Sequence, residues 1–307
     1  MIVTLFFALL PIVITICLGM LGAKIGDFDD KDSRKLTKLV LKYALPMNIF
    51  AGILGTPRKV IIADIPLACW ILVGMVGTYA VAWFIIRKIG HVDSRISALR
   101  ALSIADPSVP FIGSAILPLL FAESIASIDI GISTLLINVI LLPIIFGQMA
   151  SISGEHVGIG ERIKQTLKKP LVFSALSAFI LALCGLKMPE QLANTFTTLG
   201  KSSGGLAMFA TGIILYTRDL KLTKQIALNT VLKNIAVPAI IWGIMLLCNV
   251  PSNVIRIAVV TLAIPTATMP TSLAIRYKSG ESEMAATQFY TTILAIITLS
   301  VFMLMLS

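Results

Sequence analysis

Charged residues in this chain come in short clusters, and between the clusters lie apolar runs long enough to cross a bilayer. No other feature constrains the fold as tightly. A spanning helix needs about 20 predominantly apolar residues, and in hydrocarbon only structures that satisfy their own backbone hydrogen bonds persist. Of the 307 residues, 57% are hydrophobic and 13% charged, where a soluble domain carries about 25% charge. Ten spans would take up about 200 residues, and no soluble domain fits in the remainder. The expectation is an all-α membrane protein.

Charge and turn signals bound ten helices, at about 2–23, 34–54, 61–86, 95–121, 128–150, 170–186, 200–217, 224–248, 252–276 and 284–306. Asp29, Asp30 and Asp32 suit the entry to the second, and Pro170 suits the first turn of the sixth. The first run has no basic n-region and outlasts a signal-peptide core, so it reads as a retained helix. A polar stretch at 151–169, rich in glycine and basic residues, divides the chain into 1–150 and 170–307. The four cysteines lie in apolar runs without C-x-x-C spacing and read as helix-packing residues.

Loop charge sets the orientation. With the N-terminus outside, the cytoplasmic loops hold eighteen Lys and Arg and the outer loops five, leaving Lys42 and Lys233 inside helices. That is a positive-inside bias, and it places both termini on the extracytoplasmic side of the cell inner (plasma) membrane. The net charge of +10 then calls for anionic lipid beneath basic loops, not for nucleic acid.

Two helices break the rules at comparable places. The fourth contains Asp106-Pro107-Ser108-Val109-Pro110, and the ninth contains Pro265-Thr266-Ala267-Thr268-Met269-Pro270-Thr271. Each proline removes a backbone donor and crowds the preceding turn, so both helices are expected to unwind at mid-membrane. Freed backbone groups there must face protein or a wet cavity. Interrupted helices in matching positions of two halves point to a transporter binding site. A shift of 159 residues carries Pro11 onto Pro170 and Asp106 onto Pro265. With five helices in each half, the two repeats would be inverted.

An aspartate at the bilayer centre costs about 2.5–3.5 kcal/mol on insertion scales and tends to be functional. Asp106 is open to three roles: carrying a coupling proton, ligating a cation such as Na+, or capping the half-helix that begins at Pro107. Asn48 and Asn138 could bind a carboxylate or join helices to one another. Ser108, Thr266, Thr268 and Thr271 could present hydroxyls or backbone amides at the breaks. No metal site or cofactor is suggested. Neither a zinc-protease H-E-x-x-H nor a P-loop is present, and Asp106 has no clear intramembrane partner for aspartyl-protease chemistry. The chain is not expected to be an enzyme.

The second helix carries Tyr43-Ala-Leu-Pro-Met-Asn-Ile-Phe50, and the fourth carries Pro110-Phe-Ile-Gly113 and then Leu117-Pro-Leu-Leu-Phe121. The sixth opens with Lys168-Lys-Pro-Leu171, the ninth holds Met269-Pro270 and Ala274-Ile-Arg-Tyr277, and the tenth holds Thr291-Thr-Ile-Leu294. In this order the motifs resemble the auxin efflux carrier family over nearly the whole chain. The resemblance implies two inverted five-helix repeats whose broken fourth and ninth helices cross at the substrate site. It also implies an elevator-type mechanism, a homodimer, and small organic anions as substrates, with malate and malonate leading among bacterial members. It draws Met269 into the site beside the prolines. Many relatives carry an asparagine where this chain has Asp106. The competing readings are a passive channel or substrate sensor of the same fold, and a carrier of an aromatic monocarboxylate such as auxin.

Overall fold

The computed structural model of the protein describes residues 2–153, 160, 164, 167–216 and 221–306. Most of the predicted linker at 151–169 lies outside the described residues. We number the helices α1 (Ile2–Lys24), α2 (Asp30–Gly55), α3 (Ile65–Ile89), α4 (Ser94–Ala105), α5 (Val109–Leu120), α6 (Glu123–Ile145, running on to Ser153), α7 (Pro170–Leu183), α8 (Glu190–Gly200), α9 (Ser203–Tyr216), α10 (Lys224–Leu247), α11 (Ser252–Ala263), α12 (Met269–Arg276) and α13 (Glu281–Met305). Among the described residues there is no β-strand. Among the described residues, five helices, α2, α3, α6, α10 and α13, are long and apolar enough to cross a membrane.

The chain forms two compact units, each drawing on both halves of the sequence. The first comprises residues 1–68, 109–135 and 166–219. Its α2 begins with a capping box: Asp29 accepts from the backbone N–H groups of Lys31 and Asp32, and the Asp32 carboxylate accepts from the Asp29 N–H. Helices α1 and α9 meet backbone to backbone. A Cβ on Gly19 would lie 2.1 Å from the Phe209 carbonyl oxygen, and one on Gly212 would lie 2.1 Å from that of Ile16. Small residues permit this approach between membrane helices. Helix α8 lies in a stretch read as a loop. It docks on α2 through the stacked rings of Phe50 and Phe196, and the Met188 N–H donates to the Leu54 carbonyl.

The second unit comprises residues 69–108, 136–165 and 220–307. Leu99, Leu102 and Ala105 of α4 pack with Leu141, Ile145 and Met149 of α6, Leu273 of α12 and Met284 of α13. Arg100 of α4 reaches Glu283 of α13 with two hydrogen bonds of 2.6 and 2.9 Å, and the amide of Asn229 in α10 joins them at 3.2 Å. Arg100 therefore does not reach toward the interface as a basic residue near a helix end commonly does. Its side chain is 16% exposed and its partner's 19%.

Wide π-type turns precede three helix prolines: Val40–Ala44 before Pro46, Leu136–Leu141 before Pro143, and Leu232–Ala236 before Pro238. A proline cannot donate to the carbonyl four residues back, and a widened turn re-satisfies the freed groups without ending the helix. The cysteines do not sit between helices as expected; all four are free and exposed.

Candidate functional site

Helix α4 ends at Ala105 and α5 begins at Val109; α11 ends at Ala263 and α12 begins at Met269. Only the first proline of each pair, Pro107 or Pro265, lies at its break. Pro110 and Pro270 each occupy the second position of the following half-helix, where a missing N–H costs nothing because first-turn donors have no intrahelical acceptor. The expectation that all four prolines unwind the chain is corrected accordingly.

In the second unit the two breaks cross. Pro107 and Thr266 form an isolated antiparallel bridge. The Ser108 N–H donates to the Pro265 carbonyl at 2.8 Å, and the Ala267 N–H donates to the Asp106 carbonyl at 2.9 Å. Side chains reinforce the crossing. Thr266 Oγ1 donates to the Ser103 carbonyl at 2.5 Å, and the Thr266 N–H reaches Thr291 Oγ1 of α13 at 3.4 Å. Thr271 Oγ1 donates to Gln288 Oε1 at 2.9 Å.

Asp106 holds the last turn of α4 through its backbone, its N–H donating to Leu102 at 2.9 Å, and then turns extended at φ −98°, ψ 97°. Its side chain is fully buried, and neither carboxylate oxygen has a hydrogen-bond partner among the described residues. It therefore does not act as a side-chain cap for the next half-helix. Its electrostatic counterpart is Lys233 of α10, also fully buried. The Lys233 ammonium donates to the Leu262 carbonyl at 2.9 Å, in the last turn before the second break. Beside it, the Asn234 amide donates to the Thr291 carbonyl at 2.7 Å. Both residues belong to the wide turn ahead of Pro238, and such turns are frequent at functional sites. Lys233 and Asn234 escaped the sequence reading. The signal was there: a lysine inside an apolar helix is as expensive as an aspartate.

The structure thus brings together Asp106, Pro107, Ser108, Pro265 and Thr266, with Thr268 closing the second break and Met269, Pro270 and Thr271 directly following it. Ser108 is buried and its hydroxyl makes no hydrogen bond among the described residues. Asn138 lies in the wide turn of α6, in the same unit. Asn48 and Pro110 belong to the first unit. So does Asp129, a second fully buried acid, whose Oδ1 accepts from Ser133 at 3.4 Å.

Gly200-Lys-Ser-Ser-Gly204 matches the G-x-S-x-G of hydrolases, but it joins α8 to α9, where a nucleophile elbow needs a strand leading into a helix. Ser202 is exposed there and donates to the Leu199 carbonyl. No cluster of three or more His, Cys, Asp or Glu able to hold a metal occurs among the described residues.

The sequence model of the membrane transport protein family matches residues 4–303. The chain is also similar to the uncharacterized transporter YfdV of Escherichia coli strain K12. The two are 29% identical over 285 residues, covering 90% of this chain and 91% of the relative. The same figures hold for the proteins of that name in Escherichia coli O157:H7 and Shigella flexneri.

Proposed function

We propose that the chain, which belongs to the membrane transport protein (auxin efflux carrier) family, is a secondary active transporter of small organic anions. Membrane transport and a multi-pass helical build come with the family; the substrate, the coupling and the mechanism are our reading. The observation that carries it is the crossing itself: where two broken helices meet lies a fully buried carboxylate without a hydrogen bond among the described residues, and a buried lysine, Lys233, is bonded to the last turn before the second break.

A buried unpaired carboxylate repels an anionic substrate. Lys233 removes that objection, because the pair is neutral overall and the ammonium remains a source of positive potential at the break. Proton or Na+ uptake by Asp106 would free Lys233 to face the substrate's carboxylate, and release would return it to Asp106. Loading of ion and substrate would be linked, as coupled transport requires. The helix N-termini that follow the breaks favour the same sign of ligand.

In this reading the chain spans the inner membrane ten times as two inverted five-helix repeats, with both termini outward. It works as a homodimer, and the unit holding the crossing is the elevator carriage. Dicarboxylates such as malate and malonate lead as substrates.

The test is uptake of labelled malonate and malate into proteoliposomes, with and without a pH or Na+ gradient, for the wild type and Asp106→Asn. Gradient-driven uptake in the wild type that becomes insensitive to the gradient in the variant supports the reading. Uptake that follows the gradient equally in both removes Asp106 from coupling, and no uptake of either acid removes the substrate assignment.

A further inference from the structure

The first unit contains a cavity of about 280 Å³ with no part in the crossing. Its volume equals that of about nine waters at roughly 30 Å³ each, enough for a ligand of similar heavy-atom count. Asn48, Ser114, Glu123, Lys201, Ser203 and Gly205 are among the residues that line it.

Three features make this cavity a built site. Asn48 Oδ1 is buried without a partner among the described residues, which is costly, and it borders the cavity, where a ligand donor would satisfy it. Ser203 is 2% exposed and lines the same cavity, where its hydroxyl can donate to a ligand oxygen. The first turn of α9 begins at Ser203, its N–H groups have no intrahelical acceptor, and a Cβ on Gly205 would meet nothing within 4 Å. The backbone there is open to an incoming group.

Charge then selects the ligand. Lys201 and Glu123 both line the cavity, both are exposed, and neither forms a salt bridge among the described residues. A simple carboxylate would satisfy Lys201, Ser203 and the α9 N-terminus but leave Glu123 facing a second anion. A simple amine would do the reverse. We infer that this cavity binds a small zwitterion, an amino acid whose carboxylate sits on Ser203, Lys201 and the α9 N-terminus and whose ammonium faces Glu123.

Isothermal titration and thermal shift on the purified full-length protein test this directly. The probes are glycine, L-alanine, β-alanine and γ-aminobutyrate, against propionate and propylamine as the separate halves. At least one amino acid should bind tenfold or more tighter than either half. Glu123→Gln should erase its advantage over propionate, and Ser203→Ala should weaken it at least fivefold. Propionate binding as tightly as every amino acid overturns the inference, as does wild-type discrimination in Glu123→Gln, or no binding by any probe. Glu123 is exposed, so that arm stands even if Ser203→Ala fails to fold.

Discussion

Replacing Lys233 by methionine keeps most of the side-chain volume and removes the charge. Asp106 is then left fully buried, with no cation and no hydrogen bond. Breaking a buried pair by deleting one partner costs about 3–5 kcal/mol. An independent limit comes from letting Asp106 enter the fold neutral: protonating an ordinary carboxylate of pKa about 3.9 at pH 7 takes about 4 kcal/mol at 1.36 kcal/mol per pH unit. The two figures agree. At roughly 2–4 °C per kcal/mol for large domains, the melting temperature of Lys233→Met should fall by about 8–16 °C at pH 7. The double variant Asp106→Asn, Lys233→Met buries no charge and should recover most of the loss. Thermal unfolding of the four proteins in detergent between pH 5 and 8 gives the full cycle. A Lys233→Met protein as stable as the wild type at pH 7, or a double variant that loses the sum of the two singles, would refute the pairing.

Two further outcomes follow from the packing. Arg100→Ala should cost about 1.5–3 kcal/mol, the range for hydrogen bonds to charged groups, because it strands a Glu283 carboxylate that is 19% exposed; chemical or thermal unfolding reads it, with Glu283→Gln expected to fall in the same range. Gly212→Val should prevent α1 and α9 from closing, since its Cβ alone would overlap the Ile16 carbonyl at 2.1 Å; the yield of monodisperse protein on size exclusion should collapse, while Gly205→Ala, with open space around it, should leave it intact.

The membrane character and the two breaks were legible because each has a local cause: apolar length for one, proline chemistry for the other. The division of labour within each proline pair was not, because a proline in a first turn and one at a break look alike until the half-helix start is known. Helix α8 was missed because Glu190–Gly200 is polar enough to read as a loop, its apolar side being paid for only by docking on α2. Lys233 was passed over when its charge was assigned to no loop, and the partner that explains it lies more than a hundred residues away. The same distance problem hid the pairing of Arg100 with Glu283. Asn48 entered the candidate residues as a polar side chain in an apolar helix that could donate to a carboxylate; spacing along the chain carries no information on which cavity a side chain faces.

The bridge between Pro107 and Thr266 is made by main-chain groups, which every substitution except proline or a clash preserves. The geometry of the crossing is therefore insulated from the identity of the side chains it presents. Ser108 and Thr268 can drift while the scaffold that aims them stays fixed. A protein built this way can acquire a new preference one residue at a time without passing through unfolded intermediates, and the same insulation makes these positions the natural ones to randomise when redesigning what it carries.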